Sequence, residues 1–175
     1  MPPSKPCYVL DAGAIEARID ELCDVLSDCV IRGASVSFVL PFEPSKAREF
    51  WHGVAQSAGR GERVVLAIDN ASGVIVGTVQ LIVQQPENQP HRADVAKLLV
   101  HSSARRQGLA RQLMIALEAS ARQQQKTQLV LDTATGSDAE LFYHSCGWIK
   151  AGEIPDYALM PDGKLTGTTL FYKSL

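Results

Sequence analysis

Apolar residues recur at Ile15, Ile19, Leu22, Cys23, Leu26 and Val30 at the spacing of one helical face, which predicts a helix ending at Arg32 and Gly33. A short strand is expected before it, over 7–10. The segment 33–41 carries little polar character for a connection and is expected to line a pocket. Helical spacing resumes after Pro44 through Ala47, Phe50, Trp51, Val54 and Ala55, with Ser45 as the expected cap and Gly59-Arg60-Gly61 as the stop. Three strands follow, at 64–68, at 74–84 across the Asn70-Ala71-Ser72-Gly73 turn signal, and at 92–101 beyond a loop rich in Pro, Asn and Gln. Their short or polar links predict an antiparallel meander. Leu109, Leu113, Met114, Leu117 and Ala121 then mark one face of a helix over 108–124. The rest of the chain reads as a strand at 128–132, a helix at 137–146 ended by Gly147, and strands at 148–154 and 168–173 around a Pro161-Asp162-Gly163 turn. This order predicts a mixed, mostly antiparallel α/β sheet of about seven strands flanked by about four helices.

Composition narrows the picture. With 175 residues and 46% hydrophobic content, one core and a single domain over 1–175 are expected. A net charge of -2 provides no field to gather nucleic acid or an anionic membrane, so neither is an expected partner and a small molecule is. Cys7, Cys23, Cys29 and Cys146 have neither zinc-site spacing nor the density of a disulfide scaffold and read as reduced thiols. The amino terminus lacks an apolar signal core, and no run reaches the ~20 apolar residues needed to span a bilayer, so a cytoplasmic location is expected.

The chemistry concentrates after the 92–101 strand, which leads through Arg105-Arg106-Gln107-Gly108-Leu109-Ala110 into an amphipathic helix. A helix N-terminus presents unpaired backbone N–H groups and the positive end of its dipole to phosphate oxygens. Gly108 and Ala110 allow close approach, and Arg105 and Arg106 add charge-assisted bonds. Read alone, the same hexamer also fits a basic turn with an incidental glycine. A dinucleotide fold is disfavoured by the single glycine, and no Gly-Lys-Ser/Thr of a P-loop occurs.

Arg105, Gly108 and Ala110 match the Arg/Gln-x-x-Gly-x-Gly/Ala signature of the GNAT acetyltransferases, which this chain therefore resembles. A second match is the segment Ala139-Glu140-Leu141-Phe142-Tyr143-His144-Ser145-Cys146-Gly147-Trp148. The resemblance implies acetyl-CoA as acyl donor, its pantetheine arm along Leu98, Leu99 and Val100 and its pyrophosphate on the turn from Arg105 to Arg111. It also implies Tyr143 as general acid toward the departing thiolate, a role open to a phenol of ordinary pKa ~10. The plainer reading of Tyr143 is a buried ring whose hydroxyl bonds a carbonyl. Two positions depart from the family pattern: Arg106 replaces a frequent glycine, and Gly136 a frequent asparagine.

An acceptor amine must lose a proton, and Asp94 and Asp132 are the candidate bases, near where the family places such carboxylates. Alternatively, Asp94 pairs with Arg92 or Lys97 and Asp132 caps a turn. Ser35, Phe38 and Tyr157 are the candidate acceptor-binding residues, suited to an amino-acid-like amine. No histidine falls at metal-ligand spacing, and no metal is expected. A homodimer is implied by the family alone. A peptide acceptor and a non-catalytic acyl-CoA sensor remain as alternatives.

Overall fold

The computed structural model describes residues 6–175; the first five residues of the amino-terminal stretch read above lie outside them. Strand β2 (Arg63–Asp69) is apolar on both faces over Val64 to Ile68, and β3 (Ile75–Ile82) is buried on both faces, each of which must therefore be covered. With β1 (Tyr8–Leu10), β4 (Arg92–Val100), β5 (Gln128–Ala134), β6 (Ile149–Leu159) and β7 (Leu165–Ser174) they form one sheet of order β1-β2-β3-β4-β5-β7-β6. All neighbours run antiparallel except β4 and β5, which are parallel. Leu66 and Ile68 point to the face covered by α4 (Leu109–Gln123), while Val65 and Ala67 point to the face covered by α1 (Ala12–Ala17), α2 (Ile19–Ile31) and α3 (Pro44–Gly59). A fifth helix, α5 (Asp138–Ser145), packs beside β5. The mixed, mostly antiparallel sheet expected from the sequence is present.

Three details differ from expectation. The first helix is broken at Arg18, whose backbone leaves the helical region (φ -115, ψ 24). Its guanidinium bonds Glu21, Asp69, the Gly73 carbonyl and the Tyr8 hydroxyl. Ile15 and Ile19 stay buried on either side, so the apolar period runs across the break unchanged. In α3 the cap position belongs to Glu43, not Ser45, because Pro44 occupies the first turn, where its missing N–H costs nothing. Strand β6 runs five residues past the expected end; a register irregularity between Ile154 and Ala158, with Asp156 at φ 49, accommodates Pro155.

Gly77 sets how closely α4 approaches the sheet. A Cβ there would lie 3.0 Å from Ile68 Cγ2, 3.1 Å from Leu113 Cδ1 and 3.3 Å from the Leu99 carbonyl oxygen. Gly77→Ala is expected to destabilise the fold by about 1–3 kcal/mol through overpacking. Thermal unfolding checks this, at about 2–4 °C per kcal/mol for a chain of this size.

Candidate active site

The site originates where two strands part. β4 and β5 pair at Arg92↔Gln128, Ala93↔Leu129 and Asp94↔Val130, and the ladder stops there. On the other side β4 bulges against β3 between Thr78 and Gln80, with Lys97 at φ 54. A bulge bends its strand and strengthens the local twist, so β4 turns away from β5. The β5-facing backbone groups of 95–100 are left without a strand partner. The gap is a cavity of about 800 Å³, within the size of small-molecule sites.

At one end of the cavity lies the basic turn. After a short 3-10 turn (Ser102–Ala104), Arg106 sits at φ 61 and Gly108 at φ 77, and α4 starts at Leu109. Gly108 has no side chain to cap the helix, and the first three N–H groups of α4 meet no acceptor among the described residues. A Cβ on Gly108 would touch nothing within 4 Å, so the space before these N–H groups is open. Arg105, Arg106 and Ala110 line the cavity, and Arg105 Nε donates to the Val100 carbonyl at 3.2 Å. Leu109 is buried in the core. Arg111 is committed elsewhere, to the Ser145 carbonyl and hydroxyl at 3.3 and 2.8 Å. Gln107 and Gly108 shape the turn without lining the cavity.

Asp28 of α2 fixes this turn from below. Its carboxylate accepts from the Ser102 amide and hydroxyl, both at 2.8 Å, and from Arg32 Nε at 2.9 Å. Burial works to raise the Asp28 pKa, but the bonds from Arg32 and Ser102 outweigh it and hold it below the usual carboxylate value.

Tyr143 and Asp132 also line the cavity. The Tyr143 ring packs against Phe142, Trp148 and Phe171, with centroids 5.4, 6.0 and 6.0 Å away. Its hydroxyl has no partner among the described residues, so the carbonyl bond of the plainer reading is absent. Burial, followed by the fields of Cys146 and Asp132, pushes the phenol well above its ordinary pKa. Asp132 is held by the Thr168 hydroxyl at 2.7 Å.

The two candidate bases therefore separate. The structure does not bring Asp94 to the cavity. It lies on the paired stretch of β4, where its carboxylate takes the Arg92 guanidinium and accepts from Gln85 Nε2 at 3.0 Å. Among the candidate acceptor residues, Ser35 and Tyr157 line the cavity and Phe38 does not. Phe38 instead packs on Phe42 and Phe50 (centroids 4.8 and 5.6 Å), because a ring gains more from apolar contact than from a polar mouth. Residues 33–37 of the loop 33–41 form one wall, while 38–41 lie outside the lining; the loop is tied to the β6–β7 turn by the Leu40 amide donating to the Pro161 carbonyl at 2.8 Å.

Comparison with known proteins agrees with this geometry. The family described as Acetyltransferase (GNAT) family matches residues 22–148, more than half of the chain. This chain belongs to the GNAT acetyltransferase family. The uncharacterized N-acetyltransferase in the hisH-hisA intergenic region of Azospirillum brasilense is 33% identical over 106 residues, 59% of this chain. That match spans 61% of the relative's length. Among solved structures, yncA from Salmonella typhimurium, determined with its cofactor acetyl-CoA, is 16% identical with a TM-score of 0.74, covering 97% of this chain and 92% of that one. The ribosomal-protein-alanine N-acetyltransferase of Brucella melitensis is 19% identical with a TM-score of 0.76, covering 98% and 100%. At such identities these likenesses establish a shared GNAT fold.

Three further residues line this GNAT cavity without having been singled out in the sequence. Thr168 holds Asp132 from across the β5–β7 pair. The Ser137 hydroxyl is buried without a partner at the start of α5. Lys97 enters through the bulge of β4. The first two are common residue types at unremarkable positions, whereas Lys97, a cation within the otherwise apolar run 95–100, was a signal that could have been followed.

Proposed function

We propose that this chain transfers an acetyl group from acetyl-CoA to the amine of a small amino-acid-like molecule. The observation that carries the reading is the single cavity onto which three features open: the unpaired edge of β4, the basic turn before α4, and the Tyr143–Asp132 wall. The donor fits these residues. The uncapped N–H groups and the open space at Gly108 suit a pyrophosphate, with Arg105 and Arg106 adding charge, and the side of Leu98, Leu99 and Val100 that faces β5 without a strand partner suits an amide-bearing arm.

When bound, acetyl-CoA supplies the acetyl group as an activated thioester. Asp132, positioned by Thr168, accepts the proton that the amine sheds as it attacks, and Tyr143 donates one to the leaving sulfur. A backbone N–H near Val100 stabilises charge growing on the carbonyl oxygen. The ion pair with Arg92 makes Asp94 the weaker candidate base.

Several finer statements accompany this proposal. The chain resembles the tabtoxin resistance protein from about Arg32 onward, through 33–38, 132–137, 152–157, Pro161-Asp162-Gly163 and Phe171-Tyr172-Lys173, which supports acetylation of a β-lactam toxin or antibiotic. The Leu40–Pro161 tether narrows the acceptor side and favours a small molecule over a peptide. The unpartnered Tyr143 hydroxyl favours an enzyme over a sensor. We further assign the chain a single domain and a cytoplasmic location; among the described residues no helix is long and apolar enough to cross a membrane. A homodimer is supported by β6, an edge strand exposed along nearly all its length, with Ile149 and Ile154 exposed outside the cavity lining.

Thiol release from acetyl-CoA in the presence of small amines tests the reading. Asp132→Asn is expected to lower kcat/KM about a hundredfold to ten-thousandfold, as for loss of a general base, while leaving acetyl-CoA affinity unchanged. Unaltered turnover in that variant would remove Asp132 from the mechanism.

A further inference from the structure

Lys97 lies on the cavity-lining stretch of β4, and nothing in the acetyl-transfer chemistry uses it. It is half-buried, and it enters no ion pair among the described residues. Its Nζ donates to the Ser37 hydroxyl at 3.0 Å and stands 5.8 Å from the centre of the Phe50 ring. An ammonium has three donors, and only one is taken by a side chain here.

The backbone meets unusual demands to place this pair. Lys97 is at φ 54 inside the β4 bulge, and Ser37 is at φ 79 in the loop across from it. Left-handed conformations of non-glycine residues persist only where the surroundings enforce them, and they concentrate at functional sites. Both residues line the cavity, as does Asp132, the carboxylate assigned to the acceptor amine.

We infer that Lys97, oriented by Ser37, is the receptor for an anionic group on the acceptor, so that the substrate class is amines carrying a carboxylate or a similar oxyanion. The inference rests on the acetyltransferase reading and specifies its acceptor. Charge distribution supports it. Burial pushes the Lys97 pKa down, Asp132 opposes this and Arg63 adds to it, leaving a cation under-compensated until an anion arrives. Arg63 itself cannot take that anion readily, since its guanidinium already bonds the Ser57 hydroxyl and the Gln80 side-chain oxygen Oε1, each at 2.8 Å. Asp132 and Lys97 thus present opposite charges to one cavity, the complement of a molecule bearing an amine at one end and an oxyanion at the other.

The test compares acceptors that differ only in the carboxylate: β-alanine against ethylamine, γ-aminobutyrate against propylamine, lysine against cadaverine. Thiol release is measured for the parent, Lys97→Met, which keeps the apolar stem, and Lys97→Arg, which keeps the charge. The parent is expected to prefer the carboxylated member of at least one pair by about 10- to 100-fold in kcat/KM, the range for one charge-assisted bond. Lys97→Met should erase that preference through KM while sparing the neutral amine, and Lys97→Arg should restore part of it. Thermal stabilisation by the same probes reads binding even where turnover is slow. Equal turnover and equal stabilisation within every pair, or a Lys97→Met loss that is the same for both members, overturns the inference. Calorimetric titration with acetyl-CoA is run alongside; its failure would instead strike the acetyltransferase reading.

Discussion

Tyr143→Phe is expected to lower kcat about a hundredfold to ten-thousandfold, the usual contribution of a positioned general acid, while acetyl-CoA binds as in the parent. The ring keeps its packing against Phe142, Trp148 and Phe171, so the fold should tolerate loss of one hydroxyl that bonds nothing among the described residues. The pH dependence follows from the same environment. Burial, Cys146 and Asp132 all raise the phenol pKa above its ordinary ~10. A raised pKa keeps the proton on as pH climbs, so Tyr143 remains a donor across the neutral and mildly alkaline range. The parent's kcat profile should therefore show no descending limb from this group below about pH 10. Stopped-assay kinetics across pH checks both points, and a variant with undiminished kcat would return Tyr143 to a packing role.

Gly108→Glu should weaken acetyl-CoA binding by at least about a hundredfold, because a carboxylate placed before the open N–H groups of α4 opposes an anion at close range, a clash worth several kcal/mol. The variant also carries a left-handed backbone, φ 77, that costs a non-glycine residue roughly 1–2 kcal/mol. Gly108→Ala separates the two effects: it bears the conformational cost without the charge and should retain most of the affinity. Isothermal titration of the three proteins measures this, with thermal unfolding to show that each is folded. Retained affinity in Gly108→Glu would place the phosphates elsewhere.

Features set by local chemistry were legible in the sequence. The apolar stripe of Leu109, Leu113 and Leu117 defines α4 because a helix on a sheet must bury one face, and Gly108 at its start supplies no side-chain cap. The two-sided apolar run Val64 to Ile68 of β2 likewise calls for a strand covered on both faces. Features set by distant partners were not legible. Asp94 and Asp132 look alike in sequence. They separate only because β4 and β5 stop pairing after Asp94, which leaves Asp132 beside the cavity and Asp94 beside Arg92. Phe38 reads as a pocket residue until Phe42 and Phe50 close around it. Lys97 interrupts the apolar run 95–100 for a reason that lies in the bulge and in Ser37, sixty residues earlier in the chain. The break at Arg18 escapes periodicity because Ile15 and Ile19 face the same core on both sides of it.

Arg106 links the two kinds of information. Its side chain departs from the family's frequent glycine, yet its backbone holds φ 61, a conformation glycine adopts without strain. The chain therefore keeps the turn's shape while adding a cation to its lining, consistent with a turn organised around an anion.

The most direct measurement is a crystal structure of the protein grown with acetyl-CoA. The account predicts density along the unpaired edge of β4 between Val95 and Val100, a pyrophosphate on the amides that open α4, and the thioester sulfur within hydrogen-bond reach of the Tyr143 hydroxyl. Density for acetyl-CoA outside the gap between β4 and β5, or a sulfur remote from Tyr143, would contradict it.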